Sequence, residues 1–150
     1  MSRENAVNLA ALAGAWRLER FVYRWPDGRE LAPLGEARGQ LLYLLDGDGE
    51  PARMAVQVAA CRRPPFDPAS EASLAAHFQS GFAYTGGWAL EGDAVHHDVE
   101  IASLPFWEGT RLTRQVALEG GRLQLTTEEP SPQLPEGGYM TILEWTRDAL

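Results

Sequence analysis

Eight stretches of this chain alternate apolar and polar residues with a period of two, and nearly every one ends on a tight-turn signal. Successive strand side chains point to opposite faces, so this alternation marks strands with one face buried and the other wet. The stretches are Trp16–Trp25, Gly39–Leu45, Arg53–Ala59, Phe82–Leu90, Val95–Ile101, Arg111–Leu118, Leu123–Glu128 and Tyr139–Arg147. Between them, Pro26-Asp27-Gly28, Asp46-Gly47-Asp48-Gly49, Glu91-Gly92-Asp93 and Glu119-Gly120-Gly121 supply turn chemistry. In the first stretch Trp16, Leu18, Arg20 and Val22 share one face, with Arg17, Glu19, Phe21 and Tyr23 on the other. In the fourth, Phe82, Tyr84, Gly86, Trp88 and Leu90 share a face.

Two helical stretches interrupt the strands. Asn5 to Ala13 reads as a short helix with Asn5 as cap, Val7, Leu9, Ala10 and Leu12 as its apolar stripe, and Gly14 as its stop. Between the third and fourth strands lie Pro64, Pro65 and Pro68, followed by Ser70 capping a helix with Leu74, His77 and Phe78 at helical spacing. A helix inserted there is placed to act as a lid. The fold class expected is all-β: eight antiparallel strands in up-and-down order, closed into a barrel, with a short N-terminal helix and this helical insertion. Closure removes exposed strand edges and leaves an interior that is either filled by side chains or open to one small ligand. At 150 residues, 1–150 is expected to be a single domain.

Charge narrows the partners. Thirteen arginines and no lysine stand against 21 acidic residues, a formal charge of −8 that repels phosphate backbones and anionic lipid surfaces. Neither nucleic acid nor a membrane is expected as a partner, and lysine Schiff-base chemistry is excluded. Cys61 is the only cysteine, so no intrachain disulfide or multi-cysteine metal site can form. No stretch approaches a membrane span and no leader with a clear cleavage site is evident, so a cytoplasmic location is expected.

Two polar side chains sit on apolar faces. Leu112, Arg114, Val116 and Leu118 share one face of their strand, and Val95, His97, Val99 and Ile101 share one face of theirs. A core-facing guanidinium needs a carboxylate, water or a polar ligand. Arg114 therefore either pairs with an inward acid such as Glu144 or Glu128, or receives a carboxylate, carbonyl or phenolate on an otherwise apolar molecule. His97 is either a hydrogen-bonded core imidazole or, near its reference pKa of about 6.5, a group that moves protons. His96 points the other way, so the two histidines cannot share a metal, and neither metal nor cofactor is expected. Tyr43, Tyr84 and Trp88 fall on mainly apolar faces and Trp107 in a loop bordering the mouth, which suits either a ligand cup or plain core. Asp46 to Glu50 lacks the later acid of a calcium loop and reads as a solvated hairpin tip. No nucleophile elbow, phosphate loop or dinucleotide fingerprint is present.

Gly14-Ala15-Trp16 resembles the Gly-x-Trp that opens the first strand of lipocalins, and Trp145-Thr146-Arg147 resembles their closing strand. His96-His97-Asp98-Val99-Glu100 and Phe106-Trp107-Glu108-Gly109-Thr110 resemble the His-bearing strand and Trp-x-Gly-Thr loop of intracellular lipocalin-like domain proteins of bacteria and fungi. The resemblance, over roughly residues 12 to 148, implies a barrel around a hydrophobic cup, with Trp16 and Arg147 stacked as a structural plug at its closed end. Secreted lipocalins carry leaders and often disulfides, neither of which is seen here, so transport between cells is not expected.

The leading expectation is binding of a small hydrophobic, partly anionic or carbonyl-bearing molecule, with Tyr43, Phe78, Tyr84, Trp88, His97, Trp107 and Arg114 around it. A second reading is an isomerase or cyclase for a small conjugated substrate, in which His97 moves a proton and Arg114 stabilises an enolate or phenolate. A third is a structural or protein-interaction module with a filled barrel. A homodimer stays open as the oligomeric state.

Overall fold

The computed structural model describes residues 7–129 and 138–148. Its strands are β1 (Gly14–Arg24), β2 (Glu30–Leu31), β3 (Ala37–Leu45), β4 (Pro51–Ala60), β5 (Gly81–Glu91), β6 (Ala94–Ala102), β7 (Arg111–Glu119), β8 (Arg122–Glu129) and β9 (Tyr139–Arg147). All neighbours pair antiparallel in the order β2-β1-β3-β4-β5-β6-β7-β8-β9, and β1 also pairs with β9 from Trp16↔Arg147 to Arg24↔Met140. That last pairing closes eight strands into a barrel. The two-residue β2 is the unexpected strand, folded back on the end of β1 by the Trp25–Arg29 turn.

The helices are α1 (Leu9–Leu12) and α2 (Glu71–Phe78), and a 3₁₀ turn covers Pro105–Trp107. α1 is shorter than its sequence pattern suggested: the Asn8 side chain accepts from Ala11 N at 2.8 Å and caps it, while Asn5 lies outside the described residues. α2 starts as expected at Ser70, whose side chain accepts from Ser73 N. Between β3 and β4 the Asp46 carboxylate accepts from the backbone N–H groups of Asp48 and Glu50, the hairpin tip expected from the sequence.

Two bulges revise which residues face inward. On β1 the register to β9 shifts between Leu18 and Arg20, so Phe21 and Tyr23, not Arg20 and Val22, follow Trp16 and Leu18 into the core cluster. On β6, Thr85 pairs with Ile101 but Gly86 pairs with Val99, which leaves Glu100 as the extra residue. Beyond it Ala102 packs on the core and Ile101 is 68% exposed, against the alternation of Val95, His97 and Val99. Gly86 permits this bulge, because a Cβ there would lie 1.9 Å from Asp98 O.

One end of the barrel is plugged. Trp16 is wholly buried and its indole N–H donates to Leu12 O at 2.9 Å, holding α1 across the opening. The Arg147 guanidinium stacks 4.0 Å from the Trp16 ring centroid and donates to Ala11 O and Ala13 O, the carbonyls at the end of α1. Gly14 is required beneath it: its φ is +120° and an added Cβ would fall 2.8 Å from Arg147 Nη1. Leu41, Leu123 and Trp145 pack around this plug.

Arg147→Ala removes the cation–π contact and the two carbonyl bonds together. It should lower stability by about 1–2 kcal/mol and the melting temperature by several degrees while sparing ligand affinity, as thermal unfolding and probe titration would read. Lost affinity at an unchanged melting temperature would remove Arg147 from a structural role.

Candidate functional site

β6 delivers His97 to the middle of the barrel, where it is 2% exposed. Tyr43, on β3, places its hydroxyl 2.6 Å from His97 Nε2, and Tyr84, on β5, places its hydroxyl 2.6 Å from His97 Nδ1. Both phenols are buried, so three strands meet at one imidazole. A neutral imidazole has one N–H and one lone pair, so one tyrosine donates to the ring and the other accepts from it. His96 points outward between Glu91 at 2.9 Å and Thr113 at 2.8 Å.

Arg114 enters from β7, paired in register with Val95. It is half-buried, and its Nη1 donates to Thr127 Oγ1 at 2.7 Å. The guanidinium also lies against the Tyr84 hydroxyl, where its charge and hydrogen bonding oppose the effect of burial on that phenol. No carboxylate pairs with it among the described residues. The acid expected to do so, Glu144, faces outward and accepts from Arg20 Nε at 3.0 Å and Gln124 Nε2 at 3.1 Å, while the Glu128 side chain lies outside the description. The interior therefore holds a cation satisfied by hydroxyls alone.

Burial and this cation set the ionisation. Burial first, and then the Arg114 charge, push His97 down from 6.5 to about 3, so the expectation of an imidazole titrating near neutrality is overturned. Burial lifts Tyr84 to about 12 despite the opposing Arg114 charge, and lifts Tyr43 well above 10.0. At neutral pH the Tyr43–His97–Tyr84 line is uncharged throughout.

The remaining candidates divide. Trp88 is 4% exposed, stacks 4.6 Å from Tyr43 and donates its indole N–H to Leu44 O, so its polar handle is used by the backbone. Trp107 is half-buried and meets both Tyr84 and Phe82 edge-on at 5.6 Å. It belongs to an aromatic ring at the unplugged end, continued by Phe21 against Phe82 at 6.0 Å and against Tyr23 at 5.7 Å, and by Tyr139 at 4.7 Å from Tyr23. Phe78 is not brought to this site. It is 54% exposed, Leu74 is 44% exposed, and α2 buries none of its residues. His77 packs instead against Phe66 at 5.0 Å. Phe21, Tyr23, Phe82 and Thr127 are the residues sequence reasoning missed. For the first two the signal was the adjacent charged pair Glu19-Arg20, which breaks the alternation where the bulge sits.

The depressed His97 pKa gives a signed expectation. Below pH 6.5 the unfolded chain takes up a proton that the folded chain refuses until about pH 3, so the neutral ring costs nothing above 6.5 and stability falls as pH drops through that window. The slope reaches about 1.4 kcal/mol per pH unit. Urea midpoints measured from pH 7 to 5, where most carboxylates stay ionised, should fall more steeply for the native chain than for His97→Gln. Equal slopes would mean that His97 is not held neutral.

Comparison with known proteins adds the family. No curated protein matches the chain. The crystal structure of Rv2717c from M. tuberculosis is similar at 15% identity and a TM-score of 0.36, over 94% of this chain and 95% of that one, a likeness too weak to carry an argument. A profile of the lipocalin-like domain matches residues 13–148, which spans the barrel from the Trp16 plug to Asp148. With its closed antiparallel barrel, its Trp16–Arg147 stack and this match, the chain belongs to the lipocalin-like domain family.

Proposed function

We propose that the barrel binds a small hydrophobic molecule carrying an anionic or carbonyl oxygen, taken in at the aromatic end with its oxygen on Arg114. The observation behind this is the half-buried guanidinium held only by Thr127 and Tyr84. A charge in such surroundings gains most from an acceptor that brings a countercharge or a strong dipole, and Arg offers a forked pair of donors. Trp107, Phe82 and Tyr23 would pack the apolar body, while Tyr43, His97 and Tyr84 fix the polar wall behind Arg114. Family membership supports a small-molecule cavity in the coarse sense. A cytoplasmic setting is part of this reading, and no helix among the described residues is long and apolar enough to cross a membrane.

A matched pair of probes tests it: anilinonaphthalene sulfonate, which is anionic, and N-phenylnaphthylamine, which is neutral. Arg114→Met should weaken the sulfonate about tenfold or more, the equivalent of 1.4 kcal/mol, and change the amine little. An equal loss for both, or no binding of either to the native barrel, would sink the proposal.

One feature favours the isomerase or cyclase reading as second. The Tyr43–His97–Tyr84 line can pass a proton by tautomer exchange, taking one at one ring nitrogen and releasing one at the other, without a stable imidazolium. Deuterium should then enter a bound conjugated ketone from solvent, and do so more slowly in His97→Gln. Exchange that ignores the substitution would leave the line purely structural.

A further inference from the structure

A second concave site opens on the outside of the barrel, away from Arg114. The ladder between β1 and β3 stops at Arg17↔Gln40, although β3 stays paired with β4 as far as Ala37↔Ala60 and β1 stays paired with β9 as far as Arg24↔Met140. The two strands therefore part beyond Arg17 and Gln40. At this seam lies a hollow of about 430 Å3, within the range of small-molecule sites.

Its walls are polar and converge from separate parts of the chain. Arg17, Gln40 and Gln57 form one rung across β1, β3 and β4, with Arg38 one pair along, Arg63 arriving from the segment after β4 and Asp148 from the segment after β9. Leu18, Gly39 and Ala59 complete the lining. Three guanidinium groups face a single carboxylate in a molecule whose formal charge is −8. Asp148 engages only Arg17, at 2.7 Å. Arg63 is held in place without being neutralised: its Nε donates to Ser80 Oγ at 3.0 Å, and that hydroxyl, on a residue only 6% exposed, donates to His77 O at 2.7 Å. Its two terminal nitrogens are left for another acceptor. The side chains of Arg38, Gln40 and Gln57 have no partner among the described residues.

From this geometry we infer that the seam is a binding site for a small polyanion, a molecule with two or more carboxylate or phosphate groups, bridging Arg38 and Arg63 with its polar body against the amides of Gln40 and Gln57. Guanidinium forks suit acidic oxygens in pairs. The amides both donate and accept, so they suit hydroxyl or carbonyl groups between the acids. Leu18 and Ala59 offer little apolar surface, which separates this ligand from the hydrophobic one proposed for the interior. The two sites can be occupied together.

Calorimetric titration with pyrophosphate and with citrate, at ionic strength fixed by sodium chloride, tests the inference. Saturable one-to-one binding is expected for at least one of them, and the tighter of the two identifies phosphate or carboxylate as the preferred acid. Arg38→Gln combined with Arg63→Gln should weaken it at least tenfold, and Gln57→Glu, which sets a negative charge against the ligand, should do the same by a different route. All three positions are exposed, so unchanged melting temperatures are expected alongside. Arg114→Met should leave polyanion binding intact, which keeps this result independent of the interior site. Absence of saturable binding, indifference to both sets of substitutions, or loss of binding in Arg114→Met would overturn the seam as a site.

Discussion

Pairing of the first long strand with the last is the constraint on which the rest of the molecule rests. The β1–β9 ladder turns a meander into a closed wall, and only a closed wall gives the chain an inside distinct from its two faces. It also brings Arg147 beside Trp16, residues 131 positions apart in the chain, so that the step that closes the cylinder also stops one of its ends. Gly14 sits at this join because no other residue leaves room for the guanidinium at that backbone angle.

Within that wall, polarity is rationed. The buried cluster consists of hydrocarbon and aromatic side chains, interrupted by His97 with a tyrosine on each ring nitrogen and by Arg114 beside them. The two interruptions are coupled, because the positive charge of Arg114 is part of what keeps the imidazole neutral. Satisfied hydrogen bonds make the histidine a cheap occupant of the interior, whereas the arginine has good donors left over and no acid opposite. That imbalance distinguishes a functional reading of the interior from a merely packed one.

Most of the fold could be read from alternation and turn chemistry, since period two combined with glycine and aspartate turns leaves few other arrangements for eight strands. His97 and Arg114 were legible for the same reason, as polar residues in apolar rows. The faces of Phe21, Tyr23 and Ile101 were not, because a single inserted residue flips every side chain beyond it. Phe78 misled for another reason: helical spacing showed that it shares a face with Leu74, but not whether that face meets the barrel, and it remains largely in solvent. The partner of Arg114 was misjudged because Glu144 lies beyond the β1 bulge, in register with the outward Arg20.

Ser80 carries a consequence of its own. Its single hydroxyl fastens Arg63 at the outer seam and, through the carbonyl of His77, the final turn of α2, while its backbone carbonyl receives the N–H of Ala60 where β4 ends. The proline-rich excursion is thus moored to the cylinder at a shared anchorage, and a pull on the arginine from outside is felt by the same atom that secures the helix. Two distant parts of the surface are in this way fitted with a common hinge pin.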